Sequence, residues 1–214
     1  MRVAAPTGSA AFNLRFHATT VHRLIHWFTP PYFKLISDDK TLYEFQKLLR
    51  NTQLIILDEI SMIGRQMMGR IDSRMEQAKG YQNQKNECIG GLSCVAVGDP
   101  AQCEAMHDQQ IYNTAPHKGT AQDGDKQHVQ LSNRGLEVYS SFTKVIVLTK
   151  THRLTMIQDP TTQAEHDFNA RAERFVAVLR RQRDLEWTCE DYYWLCKRKK
   201  SQLSFTERAS FADA

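Results

Sequence analysis

Apolar residues along this chain follow two kinds of pattern. Short, nearly unbroken runs occur at Arg2–Ala5, Leu54–Leu57, Leu92–Val97 and Val145–Leu148. Such runs suit strands buried on both faces, as in a parallel sheet covered by helices. Between them the spacing becomes helical. Val21, Leu24, Ile25 and Phe28 share a face, as do Leu42, Phe45, Leu48 and Leu49. Ile60, Ile63, Met67, Ile71, Met75 and Ala78 then recur every three or four residues, with Ser61 placed to cap the helix they predict. Residues 159–183 hold a further helical stretch, with Phe168, Ala172, Phe175, Val176 and Leu179 on one side. Residues 113–130 contain little that is apolar and read as an exposed loop around Asp123, Gly124 and Asp125. Strands alternating with helices predict an open α/β sheet.

Composition narrows the classes. The chain has 214 residues, 41% of them hydrophobic, enough for a packed core. No run approaches the roughly 18 apolar residues of a membrane span, so no membrane partner is expected. Met1–Pro6 lacks the basic and then apolar regions of a signal peptide. The five cysteines are odd in number and form no CxxC pair, which argues against a disulfide framework or a zinc ribbon and for a reducing, intracellular compartment. His22 and His26 stand four apart, but Arg23 occupies the place where a zinc protease needs Glu, so no zinc is expected. The net charge of +4 is concentrated: residues 171–200 carry nine Lys/Arg against five acids. Trp187, Tyr192, Tyr193 and Trp194 lie beside this basic run. They fit either a small hydrophobic cluster or a nucleic-acid platform.

Four strand ends carry chemistry. Ligands of open α/β sheets bind beyond the carboxyl ends of the strands. Leu54–Leu57 ends in Asp58-Glu59. The first carboxylate suits Mg²⁺, a hard cation shared with substrate phosphates, and the second can polarise a water. The pair also suits the opening of a helix by negative charge alone. Val95-Ala96-Val97 ends in Gly98-Asp99-Pro100-Ala101-Gln102, where the Gln102 amide can both donate and accept. Ala5-Pro6-Thr7-Gly8-Ser9 is a glycine turn between a strand and a helix, fit for a nucleic-acid phosphate. It lacks the Lys of a G-x-x-x-x-G-K-[ST] nucleotide loop. Val145–Leu148 delivers Arg153 just past its end, as a charge-stabilising group or a surface ion pair.

In order, these segments resemble the motifs of the Pif-type DNA helicases of superfamily one, including those of Helitron-type elements. Val3–Asn13 resembles motif Ia, Thr20–Leu24 the segment after it, Leu57–Met62 motif II and Val97–Gln102 motif III; Ser132–Gly135 and Leu148–Leu154 resemble the approach to motif IV. The resemblance covers residues 1–155 and weakly extends to about 196. It implies a RecA-like P-loop NTPase fold, a mostly parallel sheet flanked by helices, with a partial motor domain over 1–155 and a helical basic segment over 156–214. It implies ATP as substrate with Mg²⁺ on Asp58, Glu59 as the catalytic base, Gln102 on the γ-phosphate and Arg153 as arginine finger. Pro6, Thr7, Gly8 and Ser9 would line the path of single-stranded DNA, with Phe12 and His22 beside it. The activity implied is ATP-driven translocation and unwinding, on single-stranded or duplex-junction DNA, in repair, recombination or telomere maintenance. In a eukaryote that places the protein in the nucleus or mitochondrion.

Two departures qualify the resemblance. After Gln102, where the family continues Leu-Pro-Pro-Val, this chain has Cys103-Glu104-Ala105-Met106, and the absent prolines leave a looser loop. The sequence also opens at motif Ia, so the fold is expected to be truncated at the strand that carries the phosphate loop. The other reading is therefore a non-catalytic DNA-binding or interaction remnant of such a helicase.

Overall fold

The computed structural model describes residues 1–28, 33–79, 82, 87–115, 123–149 and 156–197, with the side chains of 123–125 left aside. The chain divides into two compact units, Met1–Val145 and Ile146–Ala214.

Three of the apolar runs are strands of the first unit: β1 (Arg2–Ala5), β3 (Leu54–Leu57) and β4 (Ser93–Ala96). A fourth, β2, is only Thr19–Thr20. The sheet order is β2-β1-β3-β4 and every pairing is parallel. In register, Ala4 faces Leu57 and Leu57 faces Ala96, while Ile55 faces Cys94. Residues paired this way project to the same side of a sheet. On that side Ala4, Ile55 and Leu57 enter a core with Val21, Leu24, Phe45, Leu49, Met68, Ile71 and Met75. The helices of this unit are α1 (Gly8–Leu14), α2 (Val21–Leu24), α3 (Asp39–Leu49), α4 (Arg65–Lys79) and α5 (Asp123–Ser140). The second unit contains α6 (Gln163–Arg183) and α7 (Cys189–Cys196). No helix among the described residues is long and apolar enough to cross a membrane.

Several expectations are corrected. Val145–Leu148 is not a strand: its four side chains are 74 to 88% exposed and the run has no ladder partner among the described residues. Apolar composition alone does not make a strand, because the backbone groups need a neighbour. β4 pairs only with β3 among the described strands, and Val95 and Val97 are exposed rather than buried on both faces. Phe28 does not join the apolar face of Val21, Leu24 and Ile25, because α2 stops at Leu24 and the next turn leaves Phe28 in solvent. Leu48, Phe168 and Leu179 are likewise exposed. Residues 123–130 belong to α5 rather than to a loop.

Ser61 does not cap α4. It lies buried in a short 3₁₀ turn, Ile60–Met62, with no partner for its hydroxyl among the described residues. The cap comes from Asp108, whose carboxylate accepts from the Gln66 and Met67 amides at 3.1 Å each. Three arginines of α4 are buried. Arg65 donates to the carbonyls of Ser132, Asn113 and Ala115 and to Asn133. Arg70 lies over the Trp27 ring and Arg74 over Phe33. Buried guanidinium donors are costly when left unsatisfied; Arg70 donates from Nη2 to Gln66, while its Nε has no partner among the described residues. Asp72 and Glu76 of α4 both pair with Arg134 of α5.

In the second unit α6 opens with a capping box, Thr162 and Glu165 exchanging side-chain and backbone bonds. The Thr161 and Thr162 amides hold the Glu165 carboxyl down to about 2, from an ordinary 4.5. A carboxyl depressed on folding stabilises above its unfolded value, and the effect is lost as pH falls from about 4.5 to about 2. A carboxyl titration followed by NMR should place the Glu165 midpoint near the lower value. A midpoint at 4.5 would mean the box is not formed in solution.

Candidate functional site at the carboxyl edge of the sheet

Because all four strands run parallel, their carboxyl ends emerge on one edge. Ala5 leads into Pro6-Thr7-Gly8-Ser9, Leu57 into Asp58-Glu59, and Ala96 into Val97-Gly98-Asp99. The ladder continues past the strand ends. The Asp58 amide donates to Ala4 O at 2.9 Å and the Val97 amide to Leu57 O at 2.8 Å. The three turns are thereby fixed side by side.

The two acid-bearing turns are tied more closely still. Glu59 has φ 51° and ψ 50°, a left-handed conformation that is uncommon for a residue with a side chain. It is held by its neighbours: the Ile60 amide donates to Val97 O at 3.0 Å and the Met62 amide to Glu59 O at 3.0 Å. Gly98 permits this approach. A Cβ there would stand 2.8 Å from the Ile60 nitrogen and 3.4 Å from the Glu59 carbonyl carbon. Gly98, in the sequence one member of the turn after Val97, shapes this site. Its signal was a glycine between a strand end and an Asp-Pro.

Asp58 and Glu59 are both half-buried. Asp99 folds its own turn: its carboxylate accepts from the Ala101 amide at 3.0 Å and its carbonyl from the Gln102 amide at 3.0 Å. The Gln102 side chain is exposed. Thr7 caps α1, its hydroxyl oxygen accepting from the Ala10 amide at 3.2 Å, and lies 3.3 Å from the Ser9 hydroxyl. Pro6 is half-buried, and Gly8 and Ser9 are exposed. His22 stacks on Trp27 with centroids 5.0 Å apart, so one face of its ring is already used. Burial, and then the Arg70 charge, push its imidazole below the ordinary value. Arg153 lies outside the described residues. The structure thus brings Pro6–Ser9, Asp58, Glu59 and the Gly98–Gln102 turn to one edge.

No cluster of three metal-ligating side chains occurs among the described residues. The donors present suit a different kind of metal. Mg²⁺ in nucleotide sites takes one or two carboxylates and completes its shell with phosphate and water. Asp58, half-buried and pinned through its backbone, fits that role.

A family model described as an AAA domain matches residues 1–123, more than half of the chain. No curated protein matches it. Among solved structures, Bacteroides Pif1 bound to single-stranded DNA is similar over 91% of this chain and 39% of its own, at 21% identity and a TM-score of 0.57. The Bacteroides Pif1 helicase in complex with ADP-AlF3 and single-stranded DNA is similar over 95% and 41%, at 21% identity and a TM-score of 0.54. A structure of two coordinating Pif1 helicases on forked double-stranded DNA is similar over 94% and 42%, at 21% identity and a TM-score of 0.55. This chain therefore spans about two fifths of the length of these structures. At this identity the likeness establishes the fold: a parallel sheet flanked by helices, as in the RecA-like core of the Pif1 helicases.

Proposed function

We propose, from the premise that this chain belongs to the AAA domain family, that it is part of a Pif-type DNA helicase motor, coupling hydrolysis of Mg-ATP to movement along single-stranded DNA. The observation that supports this most is the junction of the Asp58-Glu59 and Gly98–Gln102 turns through the Ile60–Val97 hydrogen bond. It holds the backbones of the two turns side by side at the carboxyl edge of the sheet. The described relatives hold nucleotide analogues and single-stranded DNA, which favours the same ligands here.

In this reading Asp58 holds the Mg²⁺ that arrives with the nucleotide and offsets phosphate charge. Glu59 accepts a proton from the attacking water and orients it in line with the γ-phosphate. Gln102, on an exposed turn anchored by Asp99, contacts that phosphate and moves with it. Pro6–Ser9 follow the DNA backbone, and Arg153 stabilises charge on the transferred group. Helicases of this kind serve repair, recombination or telomere maintenance, in the nucleus or mitochondrion of a eukaryote.

The 214 residues contain no G-x-x-x-x-G-K-[ST] sequence. The β- and γ-phosphates therefore need a cradle from outside these residues. The purified 214-residue chain should hydrolyse ATP only at background, with or without DNA, while binding oligo(dT) in a salt-dependent way. Robust turnover would contradict the need for an external cradle. Absence of oligonucleotide binding would contradict the DNA-motor reading. DNA binding that persists without any turnover, even when a phosphate loop is supplied, would favour a non-catalytic remnant.

A further inference from the structure

The segment that follows the Gln102 turn leaves the sheet edge and returns to the fold at the start of α4. Its first part is loose. Cys103, Glu104, Met106 and His107 are exposed, and no proline stiffens the stretch. The Ala105 amide donates to Gln110 Oε1 at 3.3 Å, and His107 turns the chain at φ 57°. From Asp108 onward the segment is clamped. Ile111 is 1% exposed and belongs to the core. The Arg65 guanidinium donates to the carbonyls of Asn113 at 3.2 Å and Ala115 at 2.5 Å.

Asp108 is the first point of that clamp. The opening amides of a helix have no partner inside it. In α4 the Asp108 carboxylate takes two of them, those of Gln66 and Met67. The Arg65 amide donates to Gln109 O at 2.9 Å and the Met68 amide to Gly64 O at 3.0 Å. A negative charge at this end also suits the helix dipole. Gly64 admits the carboxyl group, since a Cβ there would stand 2.3 Å from Asp108 Cγ. Two residues, Ile63 and Gly64, separate α4 from the Ile60–Met62 turn that follows Glu59. A closed ring of chain results. The Ile60–Val97 bond closes it at the site, and Asp108 closes it behind, on Gln66 and Met67. One side of the ring is stiff, because Ile63 and Gly64 are buried; the other contains the exposed Cys103–His107 stretch. The position of Gln102 then depends on what holds the far end of that stretch. We propose that Asp108 is a positioning residue, which pins the segment after Gln102 to the helix after Glu59 and so makes the two turns move as one. The proposal rests on the reading of this edge as an ATPase site, and names the residue through which the Gln102 turn acts on the Glu59 turn.

The first arm of the test reads amide hydrogen exchange in the full 214-residue chain. The Ile60 amide is bonded to Val97 O and the Gln102 amide to Asp99 O, so both report on the site. Asp108→Ala should speed exchange at Gln66 and Met67, and also at Ile60 and Gln102, by about tenfold, the size expected for loss of a helix cap. Amides in the centre of β3 should be unaltered. Where Asp108→Ala does not fold, Asp108→Asn, which keeps one acceptor oxygen, should give the same pattern at a smaller size. A residue that only caps α4 would change Gln66 and Met67 alone, and that result overturns the proposal. The second arm reads turnover in a form of the chain that carries a phosphate loop ahead of β1. Asp108→Ala should lower the rate at saturating ATP about tenfold, with KM for ATP changed less than about twofold. Unchanged turnover beside faster exchange at Ile60 and Gln102 would also overturn it. If the parent form binds ATP and DNA without turnover, the ATPase reading falls and the positioning role falls with it. The exchange arm alone failing, with the parent active, removes Asp108 and leaves that reading in place.

Discussion

Glu59→Gln should remove ATP turnover while leaving nucleotide binding in place, in a form of the chain that carries a phosphate loop ahead of β1. Gln keeps the shape of the side chain and its Cβ, so the left-handed turn at residue 59 and the Ile60–Val97 bond survive. What is lost is a group able to take the proton of the attacking water. General-base loss of this kind typically costs about 10²–10⁴-fold in rate. A second change separates chemistry from folding. Glu59→Gly removes the same carboxylate and also relieves a left-handed residue, which costs roughly 1–2 kcal/mol for L-amino acids. It should therefore be as inactive as Glu59→Gln yet melt at the same temperature as the parent or higher. Residual turnover in both variants would show that another group activates the water. A lower melting temperature for Glu59→Gly would show that the turn is held by the Glu59 side chain rather than by its backbone.

The second large effect lies away from the site. Helices α4 and α5 approach closely at two glycines. A Cβ on Gly135 would meet the Arg65 carbonyl oxygen, with the carbonyl carbon at 2.7 Å. A Cβ on Gly69 would meet the Leu131 carbonyl, with its carbon at 2.8 Å. The obstructing atoms are backbone in both cases and cannot turn aside. Gly135→Ala must separate the helices, and separation strains the contacts that tie them. Those are the Arg65 bonds to Ser132 and Asn133, and the Arg134 pairs with Asp72 and Glu76. Overpacking alone costs about 1–3 kcal/mol, and loosening a buried Arg adds to it. A loss of roughly 3 kcal/mol or more is expected for Gly135→Ala in chemical denaturation. By contrast, Gly8→Ala meets no atom within 4 Å and should change stability little. Equal, small effects for the two would mean that the helices are not in contact at Gly135.

These glycines also show what the sequence could and could not reveal. β1, β3 and β4 were legible because each is an apolar run closed by a turn residue: Pro6, Asp58 and Gly98. α4 was legible from its repeating Ile, Met and Ala positions. α5 was partly hidden. Its crossing with α4 is so close that glycine, not a large apolar residue, occupies the contact point, and the usual apolar signature is thin. The cap of α4 was hidden for a different reason, since Asp108 lies more than forty residues downstream in the chain. Arg65, Arg70 and Arg74 would each pass for surface residues. Only the fold shows the carbonyls and rings that receive them. Val145–Leu148 differs in the opposite direction: its composition is that of a strand, but no strand among the described residues lies beside it.

The candidate site was legible to a similar degree. That Asp58, Glu59 and the Gly98–Gln102 turn share one sheet edge followed from strand ends in a parallel sheet. The left-handed Glu59 did not follow, because nothing in Asp-Glu-Ile-Ser demands it. It arises from the meeting of two turns, made possible by Gly98.

We infer above that this sheet edge belongs to a DNA-dependent ATPase motor. Its most direct test is the rate of ADP release, with and without oligo(dT), by a form of the chain that carries a G-x-x-x-x-G-K-[ST] loop ahead of β1. Turnover should rise severalfold or more with single-stranded DNA and disappear with Glu59→Gln. Turnover indifferent to DNA, or no turnover although both ATP and DNA bind, would contradict it.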